Sequence, residues 1–357
     1  MQKTILIAPL NWGLGHATRC IPIINALVAK GHTIIIASDG VALELLTQEY
    51  PNLITETLPS YHIRYPKKGS LFIKLIQQVP GILRTIQKEK SVLENLIDKH
   101  RIDVVISDNR YGMYNANVKS IYLSHQLKVA APFAEHLLAR LQAKFLRHFD
   151  EIWVPDIKEK INLSGKLGHY TTGVKPVKFI GTLSRFSNKP IEVKPKGIFQ
   201  PAFILAVISG PEPQRTIFEK LVIKEFSKLP IQSVVVGGSP NGKPPKFPSQ
   251  ITYFDFLQTA HLKWLLTHAQ TIISRAGYST IMDLVYLQKK AILIPTPGQT
   301  EQEYLAKHLA KSGLFYSMSQ NHFDIQKALS ELEKTSTNPE FLSQSFTMDL
   351  SHLINTI

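Results

Sequence analysis

The sequence predicts an α/β protein built on two doubly wound parallel sheets. Short, mostly apolar segments such as "TIIIAS" (33–38) and "AILIPTP" (291–297) are typical of parallel strands that are covered on both faces. Helical stretches alternate with these segments, which favours parallel strands joined by helices. The chain has 357 residues, too many for one compact core and about right for two such domains.

The first domain is expected over residues 1–185. A helix over about 16–30 ends at Gly31 as a C-cap, and a second helix begins near Asp39 and Gly40. The predicted strands of this domain are 4–10, 33–38, 103–108, 120–125, 151–156 and 177–183.

A linker is expected over residues 186–201, which contain three prolines and little periodicity. A second domain over 202–339 repeats the pattern, and we expect a last helix over 340–357 to pack back onto the first domain. The predicted strands of the second domain are 203–209, 233–238, 271–277 and 291–297. Ligands bind beyond the carboxyl ends of such strands, so two facing domains predict a site in the cleft between them.

Composition excludes several classes of protein. No window approaches 18 consecutive apolar residues, and the apolar run at the N-terminus is too short for a signal peptide. A single cysteine, Cys20, excludes a disulfide framework and a cysteine-based metal cluster. The expected location is therefore the cytoplasm.

The charge is strongly positive and uneven. The net charge is +14, and residues 1–186 carry 24 Lys and Arg against 14 Asp and Glu. This excess predicts an anionic partner for the N-terminal half, such as nucleic acid, an acidic membrane face or a phosphorylated acceptor. The alternative is a basic surface that only keeps the protein soluble.

The loop "NWGLGHATR" (11–19) follows the first predicted strand. Gly13 and Gly15 allow close backbone approach, and the following helix N-terminus suits a phosphate group. A dinucleotide site is a weak alternative because Thr18 stands where its third glycine would be. His16 is a candidate general base, with Arg19 beside it; the alternative is a polar residue that satisfies its own turn.

Two other strand ends of the first domain carry polar side chains. Asp108, Asn109 and Arg110 follow one strand, and His125 follows the next. Asp108 could orient a histidine, as in a His–Asp pair, or could merely cap a helix.

The stretch "SRAGYSTIMDLV" (274–285) is the most informative in the chain. Arg275 and a tight turn at Gly277 precede a helix that opens with Ser279 and Thr280, which is a suitable cradle for a diphosphate. Asp283 follows within reach of a ribose diol. After the next strand, Gln299, Thr300, Glu301 and Gln302 could bond sugar hydroxyls.

This region resembles the donor-binding region of glycosyltransferase family 28, which includes the N-acetylglucosaminyltransferase that forms lipid II. The resemblance is specific over 274–306 and moderate over 11–19. It implies the GT-B fold, in which two Rossmann-like domains face each other across a cleft. Asp283 replaces the usual glutamate, and Glu301 replaces a glutamine of the lipid II enzyme, so the resemblance does not fix the sugar.

The resemblance and the loop positions together predict the binding residues. The donor-binding residues would be Gly13, Gly15, Ser209, Gly210, Arg275, Gly277, Ser279, Thr280, Asp283, Gln299 and Gln302. The acceptor-side residues would be Arg19, Asn109, Arg110 and His125.

The expected activity is transfer of a sugar from a nucleotide diphosphate sugar, a UDP-sugar by family likeness, to a hydroxyl acceptor. The acceptor would be lipid-linked or a cell-envelope glycan, and the family implies inversion. His16 would accept the proton and Asp108 would orient it. No DxD-like acidic pair stands out, so we expect no metal and no cofactor besides the nucleotide sugar.

The segment 64–90 carries seven positive charges and one negative, with apolar residues at helical spacing around Pro80 and Gly81. Such a stretch can lie on an anionic membrane as a peripheral anchor, or can pack its apolar face on the sheet.

Three other functions remain open on the sequence. A nucleotide-sugar hydrolase of the same fold would use water in place of the acceptor. Nucleic-acid binding is disfavoured because the aromatic residues are scattered and form no stacking platform. A non-catalytic basic binding protein is the third.

Overall fold

The computed structural model describes residues 2–62, 71–128, 135–170, 173–187, 192–198, 202–238, 246–347, 350–354 and 357. The chain divides into two compact units. The N-terminal unit holds the chain up to Arg185 together with Phe346–Ile357, and the C-terminal unit holds Phe186–Ser345.

The N-terminal unit is built on a parallel sheet. Its described strands are β1 (Thr4–Pro9), β2 (Thr33–Ser38), β3 (Ile54–Thr57), β4 (Val104–Asp108), β5 (Lys119–Leu123), β6 (Glu151–Val154) and β7 (Val177–Phe179). Its first helices are α1 (Leu14–Ala29), α2 (Gly40–Glu49), α3 (Leu71–His100) and α4 (Glu135–Leu146). The spatial order is β3-β2-β1-β4-β5-β6-β7, so the order reverses between β1 and β4. Loops at such a switch point are where doubly wound sheets bind ligands.

The C-terminal unit repeats this architecture. Its described strands are β8 (Ile204–Val207), β9 (Ser233–Val236), β10 (Ile251–Phe254), β11 (Thr271–Ser274), β12 (Ala291–Leu293) and β13 (Phe315–Ser317). The helices that follow in the chain are α5 (Gln214–Phe226), α6 (Thr259–His268), α7 (Tyr278–Tyr286), α8 (Thr300–Ala310), α9 (Ile325–Lys334), α10 (Pro339–Ser343) and α11 (Leu350–Ile354). The parallel order β10-β9-β8-β11-β12-β13 reverses between β8 and β11. Two Rossmann-like units confirm the predicted fold class.

Several boundaries differ from the sequence-based expectation. The strands β3, β10 and β13 were not predicted, since each is only three or four residues long and two of them, Ile54–Thr57 and Phe315–Ser317, mix polar with apolar residues. The single helix expected over 340–357 is two short ones, α10 and α11. Only α11 belongs to the N-terminal unit, where it contacts α1.

The expected linker over 186–201 is not a free connection where the structure describes it. Residues 192–198 belong to the C-terminal unit, and the carbonyl of Gly197 accepts hydrogen bonds from the side chains of Gln232 (3.0 Å) and Thr252 (3.2 Å). The chain therefore enters the second sheet along an anchored segment.

Helix α3 carries the C-terminal part of the basic segment 64–90 and runs through Pro80 without ending. Residues 64–70 lie outside the described residues, as do the side chains up to 77. Beyond them, Ile86 and Leu93 are buried, so this part of the helix packs on the sheet, whereas Val79 and Leu83 are exposed. No described helix is both long and apolar enough to cross a bilayer.

A buried ion network fixes α3 against the sheet. The guanidinium of Arg110 is wholly buried and pairs with Asp39, the residue before α2, and with Oε1 of Glu89 on α3 (2.8 Å). Its Nε donates to the carbonyl of Pro9 (2.9 Å), and the hydroxyl of Tyr61 donates to Glu89 (2.7 Å). Arg110 was expected to contact an acceptor, but a side chain with no exposed surface and two carboxylate partners has a structural role.

Replacing Arg110 with Met should strongly destabilise the N-terminal unit. The change leaves Asp39 and Glu89 as buried charges without their cation, which costs about 3–5 kcal/mol. The matched control is Lys99→Met, which breaks an exposed ion pair with Glu56 (2.7 Å) and should cost about 1 kcal/mol or less. Urea denaturation measures both. Equal losses of unfolding free energy in the two variants would contradict the assignment of Arg110.

Candidate active site

The loop between β1 and α1 brings a helix N-terminus to the switch point of the first sheet. Gly13 is the residue before the helix and has φ +86°, a left-handed conformation that favours glycine. Thr18, which stands where a dinucleotide loop would have glycine, donates its hydroxyl to the carbonyl of Gly15 (3.1 Å) and is buried. Thr18 is therefore part of the first turns of α1, and the loop lacks the third glycine of a dinucleotide site.

The end of β4 lies beside this loop. Asp108 is paired in register with Pro9, and its carbonyl accepts from the backbone N–H of Leu10 (3.0 Å). Asn109 then turns the chain with φ +59°, and its side-chain oxygen accepts from the hydroxyl of Tyr122 (3.0 Å). This turn holds the Asp108 carboxylate at the edge of the sheet, beside the start of α1.

His16 and Asp108, predicted from separate motifs, meet there. Nδ1 of His16 lies 2.9 Å from Oδ1 of Asp108. Asp108 is wholly buried, whereas the His16 side chain keeps 13% of its surface exposed. No hydrogen-bonding partner for Nε2 of His16 is found among the described residues. The pair thus presents one imidazole nitrogen outward and anchors the other.

Arg19 joins the same cluster from the next turn of α1. Its Nε donates to Oδ2 of Asp108 (2.6 Å), and its Nη2 donates to Oδ1. Nη1 lies 2.9 Å from Nδ1 of His125, which follows β5. The thiol of Cys20 is 3.8 Å from Oδ2 of Asp108. Arg19 and His125 were both predicted site residues, and the structure brings them into one cluster with the His–Asp pair.

The electrostatics of the cluster are dominated by Asp108. Burial alone would raise the pKa of Asp108, but the positive Arg19 and the hydrogen bonds from His16 and Arg19 hold it well below its usual range. Burial lowers the pKa of His16; Asp108 opposes that shift and Arg19 adds to it. Burial also raises the pKa of the Cys20 thiol, so the thiol stays protonated. At neutral pH the cluster holds a carboxylate, a guanidinium and a neutral imidazole.

In the C-terminal unit, Arg275 follows β11 and lies almost wholly buried. Its Nη1 donates to the carbonyls of Ile294 and Pro295 (both 3.2 Å), and its Nη2 donates to the carbonyl of Gln214 (3.0 Å). The guanidinium lies over the ring of Phe218, 4.1 Å from its centroid. Arg275, which follows β11, is therefore hydrogen-bonded to the segments that follow β8 and β12.

The cation of Arg275 has no carboxylate partner within the described part of the chain. Burial lowers its pKa to about 9, which still leaves it charged at neutral pH. A buried, unbalanced cation is costly, and an anion bound close to it would relieve that cost.

Helix α7 begins at this same edge. Gly277 precedes the helix, and Ser279 and Thr280 are partly exposed in its first turn. This places two hydroxyls in the first turn of a helix, the end of a helix that attracts a phosphate. Asp283, expected at a ribose, is only 4% exposed, so a diol would have little access to its carboxylate.

Four more predicted donor residues follow strands of this sheet, whereas Gly13 and Gly15 lie at the start of α1 in the N-terminal unit. Ser209 and Gly210 follow β8 and are partly exposed, with φ +106° at Gly210. Gln299 precedes α8, whereas Gln302 is buried and its Oε1 accepts from the backbone N–H of Thr296 (2.9 Å). Gln302 therefore shapes the loop after β12 in this structure.

Unsatisfied polar atoms gather at this edge. Within the described residues, five buried side-chain atoms from the loops after β8, β10, β11 and β12 make no hydrogen bond: Gln214 Oε1, Asp255 Oδ1, Arg275 Nε, Thr296 Oγ1 and Gln299 Oε1. Buried polar groups in native proteins are nearly always bonded, so these atoms are available to ordered water or to a ligand with several polar groups.

A cavity of about 280 Å³ opens in the N-terminal unit between α4 and the segment around Tyr170. Leu127 lines it and follows His125 by two residues in the chain. Gln142 also lines it and is buried, and its Oε1 has no hydrogen-bond partner among the described residues. The cavity was not predicted, because α4 and Tyr170 are separated in the sequence and only the fold brings them together.

Sequence reasoning also missed the ion pair between Arg19 and Asp108. The available signal was the spacing of His16 and Arg19, because residues three apart lie on one face of a helix. A helix that presents His16 to Asp108 must present Arg19 there as well.

Comparisons with known proteins agree with this geometry. Residues 218–353 match the model of the glycosyltransferase family 28 C-terminal domain, and residues 4–131 match that of glycosyl transferase family 1. An uncharacterized glycosyltransferase of Methanosarcina acetivorans is 24% identical over 327 residues, which cover 87% of this chain and 84% of that protein.

Two further matches are informative. The Rickettsia felis UDP-N-acetylglucosamine–N-acetylmuramyl-(pentapeptide) pyrophosphoryl-undecaprenol N-acetylglucosamine transferase is 32% identical over 95 residues, 26% of each chain. The crystal structure of the kitacinnamycin glycotransferase superposes with a TM-score of 0.62 at 16% identity, covering 93% of this chain and 90% of that one. The chain is therefore a glycosyltransferase of the GT-B fold that resembles glycosyltransferase family 28.

Proposed function

We propose that the protein transfers a hexose from a UDP-sugar to a hydroxyl acceptor with inversion at the anomeric carbon. The observation that carries the proposal is the His16–Asp108 pair, in which a buried carboxylate anchors Nδ1 and leaves Nε2 available. A histidine held in this way is oriented to act as a base toward an acceptor hydroxyl.

The chemical step is a single displacement. The acceptor oxygen forms a bond to the anomeric carbon as the bond from that carbon to the diphosphate breaks, and its proton passes to Nε2 of His16. The resulting imidazolium is stabilised by the Asp108 carboxylate, and UDP leaves with the bonding electron pair. Attack from the face opposite the leaving group inverts the carbon.

The donor side of the proposal rests on the carboxyl edge of the second sheet. The first turn of α7, the unbalanced charge of Arg275 and the unbonded polar atoms suit a nucleotide diphosphate. The choice of uridine is supported by the name of the Rickettsia felis relative. Independence of metals and of further cofactors remains a prediction.

The acceptor side rests on the N-terminal unit. The cavity that Leu127 lines combines apolar side chains with Gln142, whose amide oxygen is unbonded among the described residues, and with the exposed cation of Arg140. These features suit an acceptor with an apolar part, a hydrogen-bond donor and negative charge. A lipid-linked acceptor, like that in the name of the Rickettsia felis relative, has such groups.

A lipid-linked acceptor favours work at a membrane surface. On α3, Val79 (40% exposed) and Leu83 (46%) lie one turn apart beside the exposed Arg84 and Lys88. An apolar pair flanked by cations is suited to an anionic bilayer. We therefore place the protein in the cytoplasm, peripherally on the inner face of the membrane.

Replacing His16 with Gln should lower kcat by about 10²–10⁴, because it removes the proton acceptor and leaves the fold intact. Release of UDP measures the rate. His322→Gln is the matched control on an exposed histidine outside the cluster and should leave kcat unchanged. A His16→Gln enzyme with undiminished kcat would exclude His16 as the base.

The pH dependence should report the same group. The folded-state pKa of His16 is lowered from its ordinary 6.5, so the base is available above that lowered value and is lost as the pH falls through it. The acid limb of kcat/KM should therefore have its midpoint below pH 6.5 and should disappear in His16→Gln. An acid limb well above pH 6.5 would contradict this role.

A thermal-shift series with UDP-, GDP-, TDP- and CMP-sugars should give its largest stabilisation with a UDP-sugar, because a ligand that binds only the folded state raises Tm. The UDP-sugar alone, without acceptor, should give little free sugar. Stabilisation by NAD only would exclude the donor assignment, and rapid stoichiometric release of sugar would favour the hydrolase alternative.

Vesicles test the membrane contact. The protein should co-sediment with vesicles of phosphatidylglycerol and phosphatidylcholine (1:1) and much less with phosphatidylcholine alone, and added salt should weaken binding. Val79→Ser with Leu83→Ser should weaken it further, whereas Leu141→Ser, at a similarly exposed leucine, should not. Equal binding of the two variants to the vesicles would show that Val79 and Leu83 of α3 do not contact the membrane.

A further inference from the structure

We propose that Arg19 is a positioning residue that keeps His16 uncharged and ready to accept a proton, by supplying the positive charge that the buried Asp108 requires. Arg19 was expected to contact the acceptor, but its side chain is 2% exposed and is engaged within the protein. The inference rests on the proposed function only for its effect on catalysis. The effect of Arg19 on the protonation of His16 is a property of the protein without substrate.

The contacts of Arg19 are those of a structural counter-ion. Two of its N–H groups reach the two oxygens of Asp108 side by side, which is the strongest geometry for a guanidinium and a carboxylate. A third N–H reaches Nδ1 of His125 (2.9 Å). The planar guanidinium is thus fixed by β4 and by the loop after β5, and its orientation does not depend on a substrate.

The charged and titratable groups facing His16 come from three elements. Asp108 stands at the end of β4, Arg19 on α1 and His125 after β5. Cys20 faces Asp108 and stays protonated, because burial raises its pKa. With the imidazole neutral, Asp108 and Arg19 balance to zero net charge, which is the favourable state for a buried site.

Without Arg19 the balance would change. Asp108 would have one neighbour able to carry positive charge within hydrogen-bonding distance, and that neighbour is His16 at 2.9 Å. The imidazole would then bind a proton more tightly to neutralise the carboxylate, as a histidine beside an unopposed carboxylate does. A protonated His16 cannot take the proton of an acceptor.

Arg19 also bears on which nitrogen of His16 is protonated. Its Nη2 lies 2.9 Å from Nδ1, but Nδ1 also lies 2.9 Å from Oδ1 of Asp108, an ionised carboxylate oxygen that can only accept. Nδ1 meets its requirement by donating its own proton to the same oxygen, so Nε2 is the nitrogen with a free electron pair.

The test is an NMR titration of His16 in the intact protein, followed through its Cε1–H signal, which is assigned by its absence in His16→Gln. Arg19→Met removes the charge at similar length and should raise the His16 pKa by about one unit or more, a tenfold tighter hold on the proton. Arg19→Lys restores the positive charge and should bring the pKa of His16 most of the way back to its value in the unchanged protein. The acid limb of kcat/KM should move with each value.

Asp108→Asn provides the opposite change. It leaves Arg19 unopposed beside His16 and should lower the His16 pKa, so the proposal remains testable if Arg19→Met does not fold. An unchanged or lowered pKa in Arg19→Met, or a raised pKa in Asp108→Asn, would overturn it. If His16→Gln turned out fully active, the proposed base would fail, whereas the titration would still decide the role of Arg19.

Discussion

The candidate active site depends on the burial of one carboxylate, that of Asp108. A carboxylate taken out of water requires compensation from charge or hydrogen bonds, and here it receives both from a single turn of α1. The helix begins just after Gly13 and the strand that carries Asp108 ends just before Asn109, and both of these residues have positive φ. The same requirement holds His16 by one nitrogen and leaves the other available for chemistry.

The two units share an architecture and differ in how they treat charge. In the described part of the N-terminal unit, the two buried arginines have carboxylate partners: Arg19 pairs with Asp108, and Arg110 pairs with Asp39 and Glu89. In the C-terminal unit Arg275 is buried among carbonyls alone, next to polar atoms that the described residues leave unbonded. A site whose buried charges balance suits a neutral hydroxyl and a base, whereas a site with a buried cation and no carboxylate suits a diphosphate.

Much of this could be predicted from the sequence, because it depends on local pattern. Apolar runs located most strands, and the rule that ligands bind at strand ends selected His16 and Asp108. The rule does not say which of several adjacent residues contacts a ligand. Asn109 turns the chain, whereas Arg110 lies in the core and bonds to Glu89, 21 residues away in the sequence. Arg19 and Gln302 were assigned to ligands for the same reason, since their partners are set by three-dimensional packing.

The central claim is that Asp108 holds His16 with Nδ1 protonated and Nε2 free to act as the base. The ¹⁵N chemical shifts of the His16 ring at neutral pH measure this directly, because protonated and unprotonated ring nitrogens differ widely in shift. The account predicts a neutral ring with its proton on Nδ1. A ring with its proton on Nε2, or one protonated on both nitrogens at that pH, would contradict it.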